Sequence, residues 1–117
     1  MSLRIKKINE LIKRELGKAI LKELNFQDRV LVTLTRAETS IDLGAVKVYI
    51  GVIPEEKNPE IMKILQKNVW ALQQILNKKL KIKKVPKILF KEEKTTKEAE
   101  KIERILEQIK KEENRKP

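Results

Sequence analysis

The chain has 117 residues, a length that fits one domain, and carries a formal net charge of +11 with neither cysteine nor histidine. The lack of those two residue types excludes a disulfide scaffold, a zinc finger and any catalytic pair of a nucleophile with histidine. A compact domain this basic repels itself unless a polyanion is bound, so the composition favours nucleic acid or an anionic membrane as a partner.

Residues 4–24 predict an amphipathic helix, because apolar residues recur at spacings of three and four: Ile5, Ile8, Ile12, Leu16 and Ala19. Lys7, Arg14 and Lys18 form a second row beside this stripe. The row either keeps the helix soluble or contacts phosphates along a rigid rod, and both interpretations stay open from spacing alone. Gly17 costs about 1 kcal/mol relative to alanine inside a helix, a cost that close packing would explain.

Two strands joined by a turn are predicted next. Residues 30–35 are rich in β-branched side chains, which favour extended structure. Residues 45–52 alternate, with Val46, Val48, Ile50 and Val52 on one side and Ala45, Lys47, Tyr49 and Gly51 on the other. Turn-forming side chains over residues 38–44 make the pair a hairpin, in which we expect Asp42 to fix the turn.

A long or broken helix is predicted over residues 58–80. The pair Asn58-Pro59 suits a helix start, and an apolar residue then recurs every three or four positions. A compact core cannot easily follow so long a straight rod, so we expect a break near its middle.

A short strand over residues 85–90 follows, and Thr95 with Glu98 forms a capping-box pattern before a terminal amphipathic helix. The predicted order is helix, strand, strand, long or broken helix, strand, helix. Only one face of the second strand is apolar, so the helices over residues 4–24 and 58–80 must cover the same face of one small three-stranded sheet. The pattern predicts an α+β fold.

The sharpest concentration of charge is a run of six lysines in ten positions with no acid among them: Lys78, Lys79, Lys81, Lys83, Lys84 and Lys87. Such a run is most often only a solvated surface. Here it is bounded by the apolar residues Leu76, Leu80, Val85 and Pro86. That setting favours a folded, phosphate-facing turn. The last 27 residues contribute only +1 to the excess, because residues 91–117 hold 9 basic and 8 acidic side chains.

Five segments, in this order, resemble the ribosome-binding factor A family of bacterial small-subunit maturation proteins. They are residues 4–16 (RIKKINELIKREL), 32–38 (VTLTRAE), 42–50 (DLGAVKVYI), 85–90 (VPKILF) and 100–106 (EKIERIL). Each segment alone is a weak signal. Together they span residues 3–110 in register, which is specific.

The resemblance implies a single type II KH-like domain over residues 1–94, with elements running helix, strand, strand, helix, helix, strand. Residues 95–117 would then form a C-terminal helix and tail on the same domain. KH domains clamp the nucleic-acid backbone with a Gly-x-x-Gly loop. No two glycines here are three positions apart, so the loop is absent, as it is in the resembling family.

The resemblance also implies binding to the 30S subunit and its 16S rRNA, and a role in late maturation that includes processing of the rRNA 5′ end. The lysine run and the helical row supply the candidate RNA contacts: Lys7, Arg14, Lys18, Lys78, Lys79, Lys81, Lys83, Lys84 and Lys87. Contacts of this kind position a protein on phosphates without reading sequence.

One departure from the family lies where its two central helices meet at an Ala-x-Gly kink. This chain has Asn68-Val69-Trp70 at that place. Either the kink persists with different packing, or the helix is smoother. Asn68 and Trp70 are candidate contacts at the kink, and Trp70 is expected to be partly exposed because it falls off the apolar face of the helix.

Other functional classes fit the sequence less well. No acid–base or nucleophile constellation can be assembled, so we expect neither an enzyme nor a cofactor, metal or small-molecule substrate. A membrane-surface binder should carry Trp or Phe on the apolar side of the first helix, which has none, and no apolar stretch is long enough to span a membrane. A generic KH-like nucleic-acid module is the alternative, and a pure protein adaptor would leave the charge unexplained. We expect a cytoplasmic monomer.

Overall fold

The computed structural model describes residues 3–24, 26, 29–93, 104, 105, 108 and 109. The elements are α1 (Leu3–Glu23), β1 (Leu31–Thr39), β2 (Ala45–Ile53), a 3-10 turn (Glu55–Lys57), α2 (Asn58–Lys67), α3 (Val69–Lys79) and β3 (Lys87–Glu92). This confirms the predicted order and the α+β class. Of the predicted terminal helix, only residues 104, 105, 108 and 109 lie within the described part, where they are helical and exposed.

The three strands form one mixed sheet in the order β1-β2-β3. β1 runs antiparallel to β2 through the hairpin, whereas β3 runs parallel to β2. A parallel neighbour requires a crossover connection, and α2 with α3 supplies it. The parallel pairing starts at Ala45 opposite Lys87, so the first residue of β3 lies beside the hairpin turn.

The core lies on one face of this sheet, as the alternation in the second strand predicts. Val46, Val48 and Ile50 have no exposed surface, while Lys47 on the other side is exposed. The helices close over the buried face with five fully buried side chains: Ile12, Leu16, Leu65, Leu72 and Leu76. The opposite face of the sheet is therefore left without a covering helix among the described residues.

A break at Asn68 separates α2 from α3. The Asn68 backbone N–H donates to the carbonyls of Ile64 and Leu65, and its side-chain amide donates to the Ile64 carbonyl at 2.7 Å. α3 then starts with the Leu72 N–H donating to the Asn68 carbonyl at 3.1 Å. The long helix is thus broken at this place without a glycine, and the Asn68 side chain gives the Ile64 carbonyl at the end of α2 a second donor.

The first strand is longer than predicted and contains a bulge. Its pairing register shifts between Leu34 and Arg36, which leaves Thr35 as the additional residue. At its far end, the N–H and hydroxyl of Thr39 both donate to Asn9 Oδ1 on α1, at 2.8 and 2.6 Å. β1 thus pairs with β2 as far as Thr39 opposite Val46, well beyond the β-branched run, and α1 holds its last residue.

The two acidic residues at the end of β3, Glu92 and Glu93, differ in their surroundings. Glu92 is exposed, but the Glu93 side chain is only 11% exposed. Its carboxylate accepts from the Thr35 hydroxyl at 2.9 Å and from Arg36 Nε at 3.2 Å. The Glu93 N–H also donates to the Ile50 carbonyl, which holds the residue across the sheet from β1.

We expect Gly17→Ala to raise the free energy of unfolding by about 1 kcal/mol, because alanine has the higher helix propensity. A Cβ atom at Gly17 would meet no heavy atom within 4 Å, and no glycine has a positive φ angle in the described residues. Urea denaturation followed by circular dichroism measures the change.

Gly51→Ala is the matched control, since a Cβ there would lie 3.3 Å from Thr35 Cγ2 and should give no such gain. An unchanged or lower stability of the Gly17 variant would contradict the open environment of this position.

Candidate nucleic-acid interface

The six clustered lysines occupy the end of α3, the connection after it and the first position of β3; we call them the lysine loop. All six side chains are exposed. The backbone between them is held by Leu80, which is 3% exposed and donates its N–H to the Leu76 carbonyl, and by the fully buried Pro86. The loop therefore presents its charges from a fixed backbone.

Gln73 on α3 is a positioning residue that sequence analysis missed. Its Nε2 donates to the Pro86 carbonyl at 3.1 Å, and its Oε1 accepts from the Ile88 N–H at 2.9 Å. The Gln73 side-chain amide thus joins α3 to the start of β3, because it pairs with one backbone C=O and one backbone N–H as an adjacent strand would. A half-buried glutamine on a helix gives no sequence signal for this role.

The hairpin turn supports the lysine loop from the other side. The Lys87 N–H donates to the Gly44 carbonyl at 3.1 Å. Asp42 Oδ1 accepts from the Ser40 hydroxyl at 2.7 Å and from the Gly44 N–H at 2.9 Å, so it fixes the turn as predicted. These two hydrogen bonds, the Ser40 one foremost, and the nearby charge of Lys84 hold the pKa of Asp42 below its ordinary value.

The second set of candidates is the row Lys7, Arg14 and Lys18 on α1, and all three are exposed. Lys7 and Arg14 border the same shallow surface depression of about 480 Å³, whereas Lys18 does not line it. α1 packs against α3, the helix that leads into the lysine loop. The basic row on α1 and the lysine loop after α3 therefore lie on two elements that contact each other, although they belong to separate segments of the chain.

Most of this positive charge has no acidic partner. Within the described part of the chain, Arg14 is the one candidate with an ion pair, its Nε lying 3.5 Å from Glu15 Oε1 on the exposed helix surface. An exposed pair of this kind contributes little and exchanges readily with another anion. The candidate cations are thus available to phosphates.

Arg36 is different, although it too is basic and partly exposed. Its guanidinium stacks 3.8 Å from the centroid of the Tyr49 ring and bonds to Glu38 and Glu93. The hydrogen bond to Glu93, more than the nearby charges, raises the Arg36 pKa above its ordinary value. The Arg36 side chain is therefore bound to partners on the sheet and is not one of the free cations. It half-buries Tyr49, a residue that the alternation along β2 places on the face without helices.

At the kink, the two candidate contacts have different surroundings. The Asn68 side chain is half-buried and bonded to the Ile64 carbonyl, so its amide completes the end of α2. Trp70 is 74% exposed, which confirms the expected accessibility. Its ring borders an open groove of about 650 Å³ between α3 and β3, together with Gln73, Phe90 and Lys91.

No three Asp or Glu side chains of the described residues form a group that could hold a metal ion. None of the described helices is both long enough and apolar enough to cross a membrane.

Comparisons with known proteins converge on one family. The family model of ribosome-binding factor A matches residues 4–106. A Chlorobaculum parvum protein named ribosome-binding factor A is 32% identical, over 93% of this chain and 92% of its own length. The protein of that name from Lactobacillus acidophilus is 30% identical, over 95% of this chain and 93% of its own length.

Solved structures share the fold. The crystal structure of ribosome-binding factor A from Thermus thermophilus superposes with a TM-score of 0.63 at 20% identity, over 75% of this chain and 93% of that one. A homology model of the Thermus thermophilus protein, fitted into a cryo-electron-microscopy map of a 30S complex, gives 0.58 at 22% identity, over 69% and 86%. The fold is therefore KH-like.

We expect Gln73→Leu to lower the free energy of unfolding by about 1–3 kcal/mol, because the Ile88 N–H and Pro86 carbonyl lose their partner. Gln74→Leu is the control: Gln74 is exposed, and its substitution should stay within about 0.5 kcal/mol of the wild type. Urea denaturation measures both. Equal stabilities of the two variants would show that the Gln73 amide does not fix β3.

Proposed function

This chain belongs to the ribosome-binding factor A family, and from that premise we propose that it binds the 30S ribosomal subunit as an assembly factor. It contacts 16S rRNA and assists late maturation of the subunit, including processing of the 16S rRNA 5′ end. It acts in the cytoplasm as a monomer, and it binds rather than catalyses.

The observation that carries this proposal is the lysine loop, six exposed lysines without an ion pair among the described residues. Each lysine that neutralises a phosphate releases condensed counterions, and this release drives association. The buried anchors Leu80 and Pro86 fix the loop before binding, so less conformational entropy is lost on contact.

Phosphate contacts supply position rather than sequence readout. The chain has four aromatic residues, of which Phe90 is buried, Phe26 packs against the core and Tyr49 lies under Arg36. This leaves Trp70 as the one widely exposed aromatic side chain in the described part. Recognition therefore depends on the folded shape of the rRNA, with Trp70 as a single contact at the kink.

A generic KH-like nucleic-acid module is the second candidate function, supported by the same charge. The two proposals differ in preference. An assembly factor binds the 30S subunit more tightly than an equal mass of unrelated structured RNA at the same salt, whereas a generic module binds both alike.

We expect reversal of Lys81, Lys83 and Lys84 to glutamate to abolish cosedimentation with purified 30S subunits at moderate salt. If about six cations of the wild type contact phosphates, the slope of log K against log salt is roughly −4 to −5. Loss of three contacts should make it shallower by about 2 to 3.

The matched control reverses three exposed lysines outside the candidate set, Lys22, Lys47 and Lys63, which gives the same net charge. It should keep a slope close to that of the wild type. Equal weakening by the two triple variants, with unchanged circular dichroism, would mean that total charge rather than the lysine loop governs binding.

Trp70 is the single tryptophan, so its fluorescence reports on the kink alone. Because the side chain is 74% exposed, we expect red-shifted emission and strong quenching by iodide in the free protein. Binding of 30S subunits should shield the ring and reduce the quenching constant. Unchanged quenching in the bound state would remove Trp70 from the interface.

A further inference from the structure

A groove runs between α1 and β1, the strand at the edge of the sheet away from β3, and reaches Ile50 on β2. It encloses about 420 Å³. Its lining is mostly apolar and includes Ile20, Leu21, Val32 and Leu34. Phosphate contact gives no reason for an apolar groove, so the proposed rRNA contacts leave it unexplained.

Part of the groove floor is formed by β1, which has a neighbouring strand on one side only. β1 is an edge strand, so one row of its backbone N–H and C=O groups faces away from β2. At the far end of β1, the Thr39 N–H of that strand is already bonded to Asn9. The part from Val32 to Leu34 instead lines the groove, where a further strand could pair with it.

Gly17 lines the same groove at the middle of α1. Its φ is not positive, and no atom of the described chain would touch a Cβ there within 4 Å. Neither backbone geometry nor internal packing therefore explains a residue that weakens the helix. A chain approaching closely from outside would explain it, because any side chain at this position would fill the space.

A large apolar side chain of the groove lining is exposed to solvent. Leu21 is 76% exposed and lines the groove. An exposed apolar side chain beside an apolar groove and an edge strand is typical of a surface that a partner covers.

The charges at the rim indicate the chemistry of that partner. Lys13, Arg14 and Glu10 line the groove, and Lys6 with Lys13 borders its continuation toward Arg36. Neither Lys6 nor Lys13 forms an ion pair within the described residues. The rim is thus net basic around an apolar floor.

We propose that this groove receives an extended protein segment, apolar in its centre and acidic at its flanks, which pairs with β1 as a fourth strand. Strand addition at a sheet edge is a general mode of peptide recognition, in which backbone hydrogen bonds give affinity and side-chain pockets give specificity. The proposal rests on the proposed function in one respect: the segment belongs to a protein of the 30S subunit.

A photo-crosslinking experiment identifies the class of the occupant. The chain has no cysteine, so Thr33→Cys, at an exposed residue that lines the groove, can be labelled uniquely with benzophenone maleimide. With purified 30S subunits, we expect a crosslink to a ribosomal protein. The same label at Glu56→Cys, an exposed site away from the groove, should give none.

A second pair of variants tests the close approach at Gly17. Gly17→Leu fills the groove and should weaken binding to 30S subunits about tenfold, with no change for protein-free 16S rRNA. Gly17→Ala adds one carbon and should weaken it less. Both should keep or raise the melting temperature, because both improve helix propensity.

The outcomes separate the claims. A crosslink from Thr33→Cys to rRNA would assign the groove to nucleic acid and overturn the proposal. An absent crosslink, or an unchanged affinity of Gly17→Leu, would overturn it while the wild type still cosediments with 30S subunits. Failure of the wild type to bind 30S subunits would instead refute the proposed function, and this inference with it.

Discussion

The side chains of Val46, Val48 and Ile50 on the central strand have no exposed surface, and β2 is paired on both sides. Full burial of side chains of this size stabilises a fold by about 1.5–3 kcal/mol each. Because only one face of β2 is apolar, all the helices that pack on the sheet must lie on that side. Among the described residues, the opposite face of the sheet, its two edges, the outward sides of the helices and the end of α3 are then uncovered, and the candidate surfaces lie at an edge, on α1 and at the end of α3.

The lysine loop can hold six like charges for two reasons. Repulsion between exposed charges is weak in water, and the backbone of the loop is fixed by buried residues. Two unit charges 4 Å apart interact by about 1 kcal/mol in bulk water, and exposed lysine side chains can move further apart. Burial of Leu80 and Pro86 and the two hydrogen bonds of Gln73 offset this repulsion. The free protein therefore holds the backbone that carries these cations in place without a bound anion.

Periodicity in the sequence predicted those features of the fold that depend on the local pattern of apolar and polar residues. The stripe containing Ile12 and Leu16, the alternation along β2 and the exposure of Trp70 follow from helix and strand geometry alone. The break between α2 and α3 was expected near the middle of the long pattern, but the hydrogen bond of the Asn68 side chain to the Ile64 carbonyl at this break was not. Local propensity carries no information about which carbonyl a side chain finds.

Residues whose role depends on a distant partner were missed for the same reason. Gln73 and Glu93 each bond to a segment that only the sheet topology brings near, and neither has a distinctive sequence context. Sequence likewise identified Gly17 as costly without deciding its use. The deciding fact, an open groove instead of close packing, lies in the placement of β1 against α1. In each case the missing information is tertiary.

Arg14 belongs to both proposed surfaces, since it stands in the basic row of α1 and also lines the α1–β1 groove. The two contacts differ in their physical basis. Phosphate binding is strong at low salt and weakly selective, whereas strand addition depends less on salt, because backbone hydrogen bonds and an apolar centre carry most of it, and is selective through its side chains. In the proposed mode of binding, the lysine loop holds the protein on rRNA first, so the second contact forms at high effective concentration and needs little affinity of its own. On this proposal, electrostatic contact governs the rate of association, and the groove restricts binding to particles that carry a matching protein at the right place.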